Sequence, residues 1–423
     1  MNKILKISLL TSIMIGSHLQ ASEVELQKEI NALKAEIKEI KQSTNESIDE
    51  LYERADSNEF EATMNRIKWG GGVEIGVNNF DGTTGSMTTP MGKMPGTKYS
   101  NANKWTNKVK LSMEAKINDK ARFVGRLSMY KNWADSTANM MHSDPNEGKH
   151  SNSGTSAVFL ERAYVNYKIN DILTTTVGRQ PSSDGPGMSL RENTPRQATY
   201  PALLFDGNAD GIILTANAGD VKNVFKSLKF RAAYGKGFQQ DDAMNGFLAN
   251  DNSVDDLDVA GVFAESALDF PAMGENLIVL SYVKASNFVG SSMNVASPNN
   301  VNLGDFDLMG LYFENNKAFG TKLNYFFSYA YSKGASNGKT VNYGPMTGNQ
   351  NVKLIDDSAS AFHVGARYDF DSGFKLGYEF NHGGKNWFSF TQGSEDPLNK
   401  LATRGDAHDI YAIYQLDMNQ FLR

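Results

Sequence analysis

From Ile67 onward the chain alternates between very short and very long polar breaks, and this alternation limits its fold more than any other feature. Between the breaks, apolar and polar residues alternate as in β-strands whose two faces meet different surroundings. The short breaks include Asn118 to Lys120, Asn170-Asp171 and Asp371 to Gly373; the long ones include Phe80 to Trp105, Ala134 to Thr155, Pro181 to Asp206 and Gly334 to Asp357. Tight turns at one end and long loops at the other are typical of a transmembrane β-barrel. The sequence therefore predicts an all-β, antiparallel barrel over residues 67–423.

The strand-like segments number fourteen up to Asp417, and another begins at Phe421. Bacterial single-chain barrels usually have an even number of strands, and an open sheet edge is not viable within lipid. The chain also ends without the aromatic residue usual for these proteins. We therefore expect a native barrel of about sixteen strands, the last of which are missing from this chain.

Composition narrows the function classes. Hydrophobic residues make up 40% of the 423 residues, and no internal run approaches the ~20 apolar residues of a membrane helix. The absence of cysteine excludes disulfides and thiolate chemistry. A net charge of -6 argues against a nucleic-acid partner, whose binding surface would be basic. The glycine-rich stretches and scattered histidines lack nucleotide-loop or metal-ligand spacing, so we expect no enzyme, no cofactor and no metal.

The N-terminus has the pattern of a secretory signal peptide over residues 1–21. Lys3 and Lys6 precede the apolar stretch Ile7 to Gly16, and Ala21 offers a small residue for cleavage. A short buried helix is the alternative. Export together with a barrel predicts the outer membrane of a Gram-negative bacterium.

Residues 22–58 have a helical period instead of a strand period. An apolar seam steps by four and three through Leu26, Ile30, Leu33, Ile37 and Ile40. This spacing is that of a coiled coil, which predicts a periplasmic segment that assembles the protein into a homo-oligomer, with a trimer preferred. The alternative is a helix that packs on the barrel mouth or extends from it.

Strand alternation assigns charged side chains to the lumen. The first predicted strands turn a basic ladder inward: Lys108, Lys110, Lys116, Arg122, Arg126 and Arg162, against Glu114. Cations beside a water-filled path enrich anions, so the ladder predicts an anion-leaning pore. Alternatively, these charges pair with one another and carry no selectivity.

The long break from Pro181 to Asp206 follows the fifth strand and carries Asp184, Arg191, Glu192 and Arg196. Its position and charge are similar to those of the loop that folds inward and narrows the pore in trimeric general porins. The alternative is an external loop over the rim.

The same region carries a family resemblance. The run from Val177 to Pro186, followed by Glu192-Asn193-Thr194 and by Leu204 to Gly207, is similar to outer-membrane proteins of Campylobacter-related bacteria. That family is described as a domain of unknown function with a porin-like barrel. The resemblance covers most of the chain after Ile67 and implies the barrel and its compartment, without assigning an activity.

Two functions follow from these patterns. The first is a porin-like channel for small hydrophilic solutes or ions, with outer-membrane lipid and lipopolysaccharide as surroundings. The second is a non-conducting structural or adhesive barrel. The inward charges favour the channel, because burying many Lys and Arg side chains in a filled barrel is costly.

Overall fold

The computed structural model describes residues 28–46, 48–49, 67–83, 87–89, 92–94, 98–133, 158–181, 185–194, 196, 203–207, 209–222, 224–238, 256–270, 273–291, 300–341, 351–390 and 400–414. The expected signal peptide, Leu26 and Asp184 lie outside these ranges. The chain divides into two compact units, Met1–Ile67 and Lys68–Arg423.

In the first unit, residues 28–46 form helix α1, in the part of the chain where the sequence predicts a coiled coil. Ile30, Ile37 and Ile40 are exposed on it, and Leu33 is half-buried. No described helix is long and apolar enough to cross a membrane.

The second unit is built on one antiparallel sheet of fourteen strands. Each strand pairs with the strands before and after it in sequence, so the sheet is a simple meander. The strands are β1 (Ile67–Thr83), β2 (Lys98–Lys116), β3 (Ala121–Asn132), β4 (Val158–Lys168), β5 (Leu173–Arg179), β6 (Asp210–Val221), β7 (Phe225–Phe238), β8 (Leu257–Phe270), β9 (Gly274–Ser286), β10 (Gly304–Asn316), β11 (Leu323–Ser336), β12 (Ser358–Asp369), β13 (Phe374–Gly383) and β14 (Gly405–Tyr414). Among the described residues β1 and β14 are not paired with each other, so the sheet is open between them.

The connections confirm the predicted alternation. Those between β2 and β3, β4 and β5, and each later pair up to β12 and β13 contain at most six residues. The others are longer, and five of them carry small described elements of their own. These are hairpins at Met87–Thr89 with Gly92–Met94, Val289–Ser291 with Asn300–Asn302, and Thr340–Val341 with Val352–Lys353, helix α2 at Met188–Arg191, and a 3-10 turn at Lys400–Ala402. A further 3-10 turn, Ala318–Gly320, lies in the short connection between β10 and β11.

The sheet has one apolar face and one polar face. Large apolar side chains project from the apolar face into the surroundings; examples on five strands are Leu111, Ile212, Val262, Met309 and Ile410, all more than two-fifths exposed. The polar face carries Arg, Glu, Asn and Ser side chains. A membrane barrel presents its apolar face to lipid and its polar face to the interior. The all-β antiparallel fold class predicted from the sequence is confirmed.

The polar face differs between the two halves of the sheet. On β9 to β13 nearly every second residue is buried, including Val283, Leu308, Tyr312 and Phe326. Two apolar clusters formed with the long connections cover this half: one contains Leu203, Leu204, Trp387 and Leu401, and the other Leu303, Val341 and Leu354. On β6, in contrast, no residue is fully buried.

Candidate constriction on the polar face

The long connection after β5 runs across the polar face of the sheet. We call its part from residue 185 to 206 the crossing segment; residues 185–194, 196 and 203–206 of it are described. Its contacts reach every strand from β8 to β13, all of which lie beyond β6 in the sheet order. The described part of the segment therefore lies over the polar face of the sheet, and the narrowing of a pore by this segment stays a prediction.

Helix α2 fixes the start of the crossing segment against the sheet. Gly187 precedes the helix with a left-handed φ of 69°, and a Cβ atom there would lie 2.0 Å from Cε1 of Phe326 on β11. Only glycine combines this backbone angle with so close an approach. One turn later Leu190 is buried with Val279, Tyr312 and Phe326. The helix is thus held by close packing at both of its ends.

Polar contacts add to this packing. Arg191 Nη1 donates to the carbonyl oxygen of Pro186 at 2.8 Å and to Glu379 Oε2 on β13 at 2.6 Å. Arg367 Nη1 on β12 donates to the carbonyl oxygen of Leu190 at 2.6 Å, and Lys375 Nζ donates to Asn193 Oδ1. Three side chains from the neighbouring strands β12 and β13 therefore form hydrogen bonds with residues 190–193.

The end of the crossing segment is an apolar anchor. Leu203 and Leu204 are fully buried and pack with Val283, Leu308 and Trp387. The segment also pairs with the connection before β14: Ser389 Oγ donates to the carbonyl oxygens of Leu203 and Leu204 at 2.9 and 3.0 Å, and the Asp206 N–H donates to the Phe390 carbonyl at 2.6 Å. The two connections thus form one covering layer over the second half of the sheet.

Three of the buried glutamates on the polar face each lie next to two basic side chains. Glu161 on β4 accepts from Arg126 Nη1 at 3.2 Å and Arg162 Nη2 at 2.7 Å, and also from Ser128. Glu265 on β8 lies 3.5 Å from Arg231 and 3.5 Å from Arg196 of the crossing segment.

The third glutamate, Glu379, lies between Arg191 and His363, whose Nε2 is 3.0 Å from its Oε2. All three carboxylates are less than a tenth exposed. Their basic neighbours offset the cost of burying the charge. The crossing segment supplies one of these neighbours to each of Glu265 and Glu379.

The predicted basic ladder has carboxylate partners along its length. Lys108 pairs with Glu74 at 3.0 Å, and Arg122 with Glu114 at 2.5 Å. Near the turn, Lys116 pairs with Asp119 at 2.6 Å and, by donating this hydrogen bond, lowers the pKa of the Asp119 carboxyl. Lys110 acts on Glu161 through its charge. Glu192 is exposed at the end of α2. The polar face of the first strands is therefore less strongly basic than the sequence pattern alone indicates.

Glu161, which the alternation of the sequence does not place on the polar face, explains much of this lower basic charge. Strict alternation from Ala163 and Val165 would place Arg162 on the polar face and Glu161 on the apolar face. The pairing of β3 with β4 shifts register between Arg126 and Leu127, a β-bulge that leaves Arg162 opposite Arg126 and Leu160 opposite Leu127. Two successive residues, Glu161 and Arg162, are then buried together. No sequence signal marks this bulge. Glu265 and Glu379 do follow alternation and are identified by their parity with Arg231 and Arg367.

Within the described ranges, no three His, Cys, Asp or Glu side chains come together in a way that could hold a metal ion. The arrangement instead provides fixed charges on the polar face: buried Arg–Glu clusters within the strands, and exposed Lys, Arg and Glu side chains toward the short turn between β2 and β3.

A continuous antiparallel meander with an apolar outer face, a polar inner face and long connections at one end has the architecture of a transmembrane β-barrel. The chain belongs to the family described as Protein of unknown function (DUF3373), which matches residues 98–423. Comparison with curated proteins gave no match. The occurrence of this chain in Campylobacter-related bacteria stays a prediction.

Solved structures of outer-membrane proteins are similar to the chain at low sequence identity. Salmonella typhi OmpF in complex with daunomycin is 13% identical over 82% of this chain and 96% of that chain, with a TM-score of 0.38. Pseudomonas putida OprB at high pH is 10% identical over 75% and 76%, with a TM-score of 0.40. In-vitro folded OmpT, an outer membrane protein of Vibrio cholerae, is 12% identical over 82% and 95%, with a TM-score of 0.36.

Proposed function

We propose that the chain forms an outer-membrane channel for small hydrophilic solutes or ions, with its water path along the polar face of the first half of the sheet. The observation that carries this proposal is the difference between the halves. Toward the short turns of the first half, the side chains of Lys116 and Arg122 are 71% and 56% exposed. On the second half the covering layer leaves little polar surface to water.

Charge along this path favours anions moderately. Besides the ladder, Lys229 and Arg231 share the polar face with Glu74, Glu114, Glu161 and Glu265, so cations outnumber carboxylates on it. Fixed charges beside a low-dielectric wall change the local concentration of ions. We expect a preference for chloride over potassium that is weaker than an unpaired ladder would give.

Ion selectivity is the test of this path. In a planar bilayer with a KCl gradient, the reversal potential of the unsubstituted channel should lie on the chloride side. Arg122→Glu with Arg126→Glu should move it toward potassium, because both side chains lie on the polar face. Arg179→Glu, on the apolar face and paired with Asp210 at 3.0 Å, is the matched control and should leave it in place. An unchanged potential in the double variant would place the ion path elsewhere.

A non-conducting structural or adhesive barrel is the second candidate, and the covering layer favours it, because a layer of this kind could extend over the whole interior. Single-channel recording of the purified full chain separates the two functions. Discrete conductance steps support the channel, and their absence in a membrane-inserted protein supports the structural barrel. Neither proposal includes an enzymatic activity.

The proposed location has its own test. A membrane barrel should resist unfolding in denaturing detergent until it is heated, so boiled and unboiled samples should migrate differently on a gel. Fractionation should recover the protein with the outer membrane, surrounded by lipid and lipopolysaccharide. Identical migration together with a soluble periplasmic fraction would contradict the location.

We also propose that α1 assembles the protein into a homo-oligomer, with a trimer preferred. The exposed isoleucines of α1 support this, since an apolar seam at coiled-coil spacing is buried when helices associate. Replacing Ile30, Leu33 and Ile37 with Ser should lower the oligomer's stability in mild detergent. Replacing Lys34, Lys38 and Lys41 with Ser, at positions between those of the seam, is the control. A monomeric unsubstituted protein in sedimentation would rule the assembly out.

A further inference from the structure

A cavity of about 340 Å³ lies on the polar face among the first four strands, β1 to β4. Its lining includes Lys68, Gly70, Ser112, Glu114, Arg126 and Arg162. This volume is at the small end of the ~300–1,000 Å³ that is usual for ligand pockets, so the cavity suits a compact solute. None of its lining residues belongs to the crossing segment, which packs on β8 to β13.

The room in this cavity depends on a glycine. A Cβ atom at Gly70 would have one described heavy atom within 4 Å, Ser112 Cβ at 4.0 Å, so a side chain at this position would enter the cavity. Neither Gly70 nor Gly72 has the left-handed backbone angle that favours glycine. Glycine within a strand weakens it, and often marks a site where a ligand or another backbone approaches closely. The run Gly70-Gly71-Gly72 is therefore explained by space on the polar face and not by a turn.

Two guanidinium groups of the lining are held in fixed directions. Arg126 Nε donates to Ser112 Oγ at 3.0 Å, and Arg126 Nη1 donates to Glu161 Oε1 at 3.2 Å. Arg162 Nη2 donates to the same carboxylate oxygen at 2.7 Å. The planar guanidinium group matches the two oxygens of a carboxylate, and side chains that are already ordered lose little freedom on binding. The cavity thus presents preorganised cations.

Lys68 adds a third cation to the lining. Its side chain is exposed, and no ion pair joins it to another described residue. The flexible stem of a lysine lets its ammonium group approach a solute in the cavity. Lys68 is therefore placed to bind the outer side of an anion that the two arginines hold.

The charges favour a solute with a single negative charge. Three cations and two carboxylates line the cavity or lie directly behind it: Lys68, Arg126, Arg162, Glu114 and Glu161. A second negative charge on the solute would lie near Glu114, and like charges placed together are unfavourable. Val124 in the lining offers an apolar contact for a short alkyl group.

We propose that this cavity binds small monocarboxylates, with the carboxylate at Arg126 and Arg162 and the alkyl group beside Gly70 and Val124. The site rests on the proposed channel for its role, because it names the class of solute that the channel favours. Fixed cations beside the water path raise the local concentration of such a solute.

Saturation-transfer NMR on the purified full-length protein in deuterated nonionic detergent tests the site without requiring conduction. The observed probe is propanoate; propanamide and propylammonium are neutral and cationic molecules of similar size. Propanoate should receive saturation that acetate displaces, whereas propanamide and propylammonium should not compete. Chloride and phosphate at neutral pH should each compete with an affinity at least roughly threefold below that of acetate.

A matched pair of glycine variants separates the cavity from the rest of the polar face. Gly70→Val fills the cavity and should abolish the displaceable signal. Gly72→Val is the control, because it lies on the same face of β1 outside the lining and no described atom lies within 4 Å of its Cβ position. Lys68→Gln should weaken propanoate binding by roughly threefold or more. Glu114→Gln should let phosphate compete as well as acetate.

Equal signals in the two valine variants would overturn the site, and so would equal competition by chloride and acetate in the unsubstituted protein. A preference against phosphate that survives Glu114→Gln would contradict the charge argument for a monocarboxylate. Propanoate binding in a protein without single-channel conductance would support the cavity and contradict the channel. Conductance without a displaceable propanoate signal would keep the channel and overturn the site.

Discussion

The two halves of the sheet present the same apolar exterior but opposite interiors. On β2 to β7 the polar face carries Lys, Arg and Glu side chains, several of which stay accessible toward the short turns. On β9 to β13 the polar face carries Leu308, Tyr312 and Phe326 among its polar groups and is covered by the long connections after β5, β9, β11 and β13. The same period-2 pattern on the apolar face can therefore accompany a polar face that is exposed to water or one that is packed.

The sequences of the strands already show this difference between the halves. β2 alternates strictly, as in Lys108-Val109-Lys110-Leu111, because its two faces meet water and lipid. β11 has Tyr325-Phe326-Phe327 in succession, and a strand that is apolar on both faces is usually covered on both. Strand alternation therefore identifies the lipid face, and departures from it identify the part of the interior that is packed.

The largest expected effect is on the packing of the second half. Leu204→Ala removes a fully buried side chain that packs in the cluster with Leu308 and Trp387, and should lower the free energy of unfolding by about 3 kcal/mol. Leu214→Ala, 42% exposed on the apolar face of β6, should cost less than about 1 kcal/mol. The temperature at which gel migration changes measures both variants. Equal shifts would show that the two halves are equally packed.

A smaller effect is expected from alanine at two glycines with nearly the same backbone angle. Gly187 has φ +69 and a Phe326 ring in the path of a Cβ atom; Gly219, in β6, has φ +71 and no atom within 4 Å of that position. Both substitutions carry the left-handed cost of roughly 1–2 kcal/mol, but only Gly187→Ala must also displace Phe326. Gly187→Ala should therefore raise single-channel conductance by loosening the crossing segment.

The Gly219→Ala variant should leave conductance unchanged, since it lies outside the crossing segment. If both variants changed conductance equally, backbone strain alone would account for the effect, and the contact with Phe326 would have no role in holding the segment.

Loss of the Arg191 charge should weaken the crossing segment locally. Arg191→Gln removes the cation beside Glu379 while His363 stays in place, so we expect a cost of roughly 1–2 kcal/mol, below the 3–5 kcal/mol of an uncompensated buried charge. Hydrogen exchange of the amides in residues 185–194 should become faster. Arg191→Lys should recover part of the protection, and Arg179→Gln on the apolar face should have no effect there. Unchanged exchange in Arg191→Gln would mean that packing of Leu190 alone holds the helix.

The smallest expected effect is on ion selectivity, which should change with a substitution in the first half only. Glu161→Gln leaves Arg126 and Arg162 without their carboxylate and should shift the reversal potential toward chloride by a few millivolts. Glu379→Gln, beneath the covering layer, should leave the potential unchanged. A shift of equal size in both variants would show that ions pass along both halves of the interior.

Much of this fold could be predicted from the sequence, because strand period and connection length are local properties of the chain. Fourteen strands, the alternation of connections and the polar-face positions of Lys108, Arg126 and Arg162 all follow from it. Glu161 could not be placed, because a bulge depends on how β3 and β4 pair and not on either strand alone. The covering layer was also beyond local reasoning, since Leu204 and Trp387 meet only in the folded sheet.

The hydrogen bond from Arg191 to Glu379 joins residues 188 positions apart, whereas every strand of the sheet pairs with a neighbour in sequence. Local pairings close short loops and form early, and distant contacts must wait for the chain between them. The sheet can therefore grow hairpin by hairpin from either end while the crossing segment has no place to dock. Only when β13 has joined can the second half of the sheet be covered, so the crossing segment docks late, on a sheet whose strands have already paired.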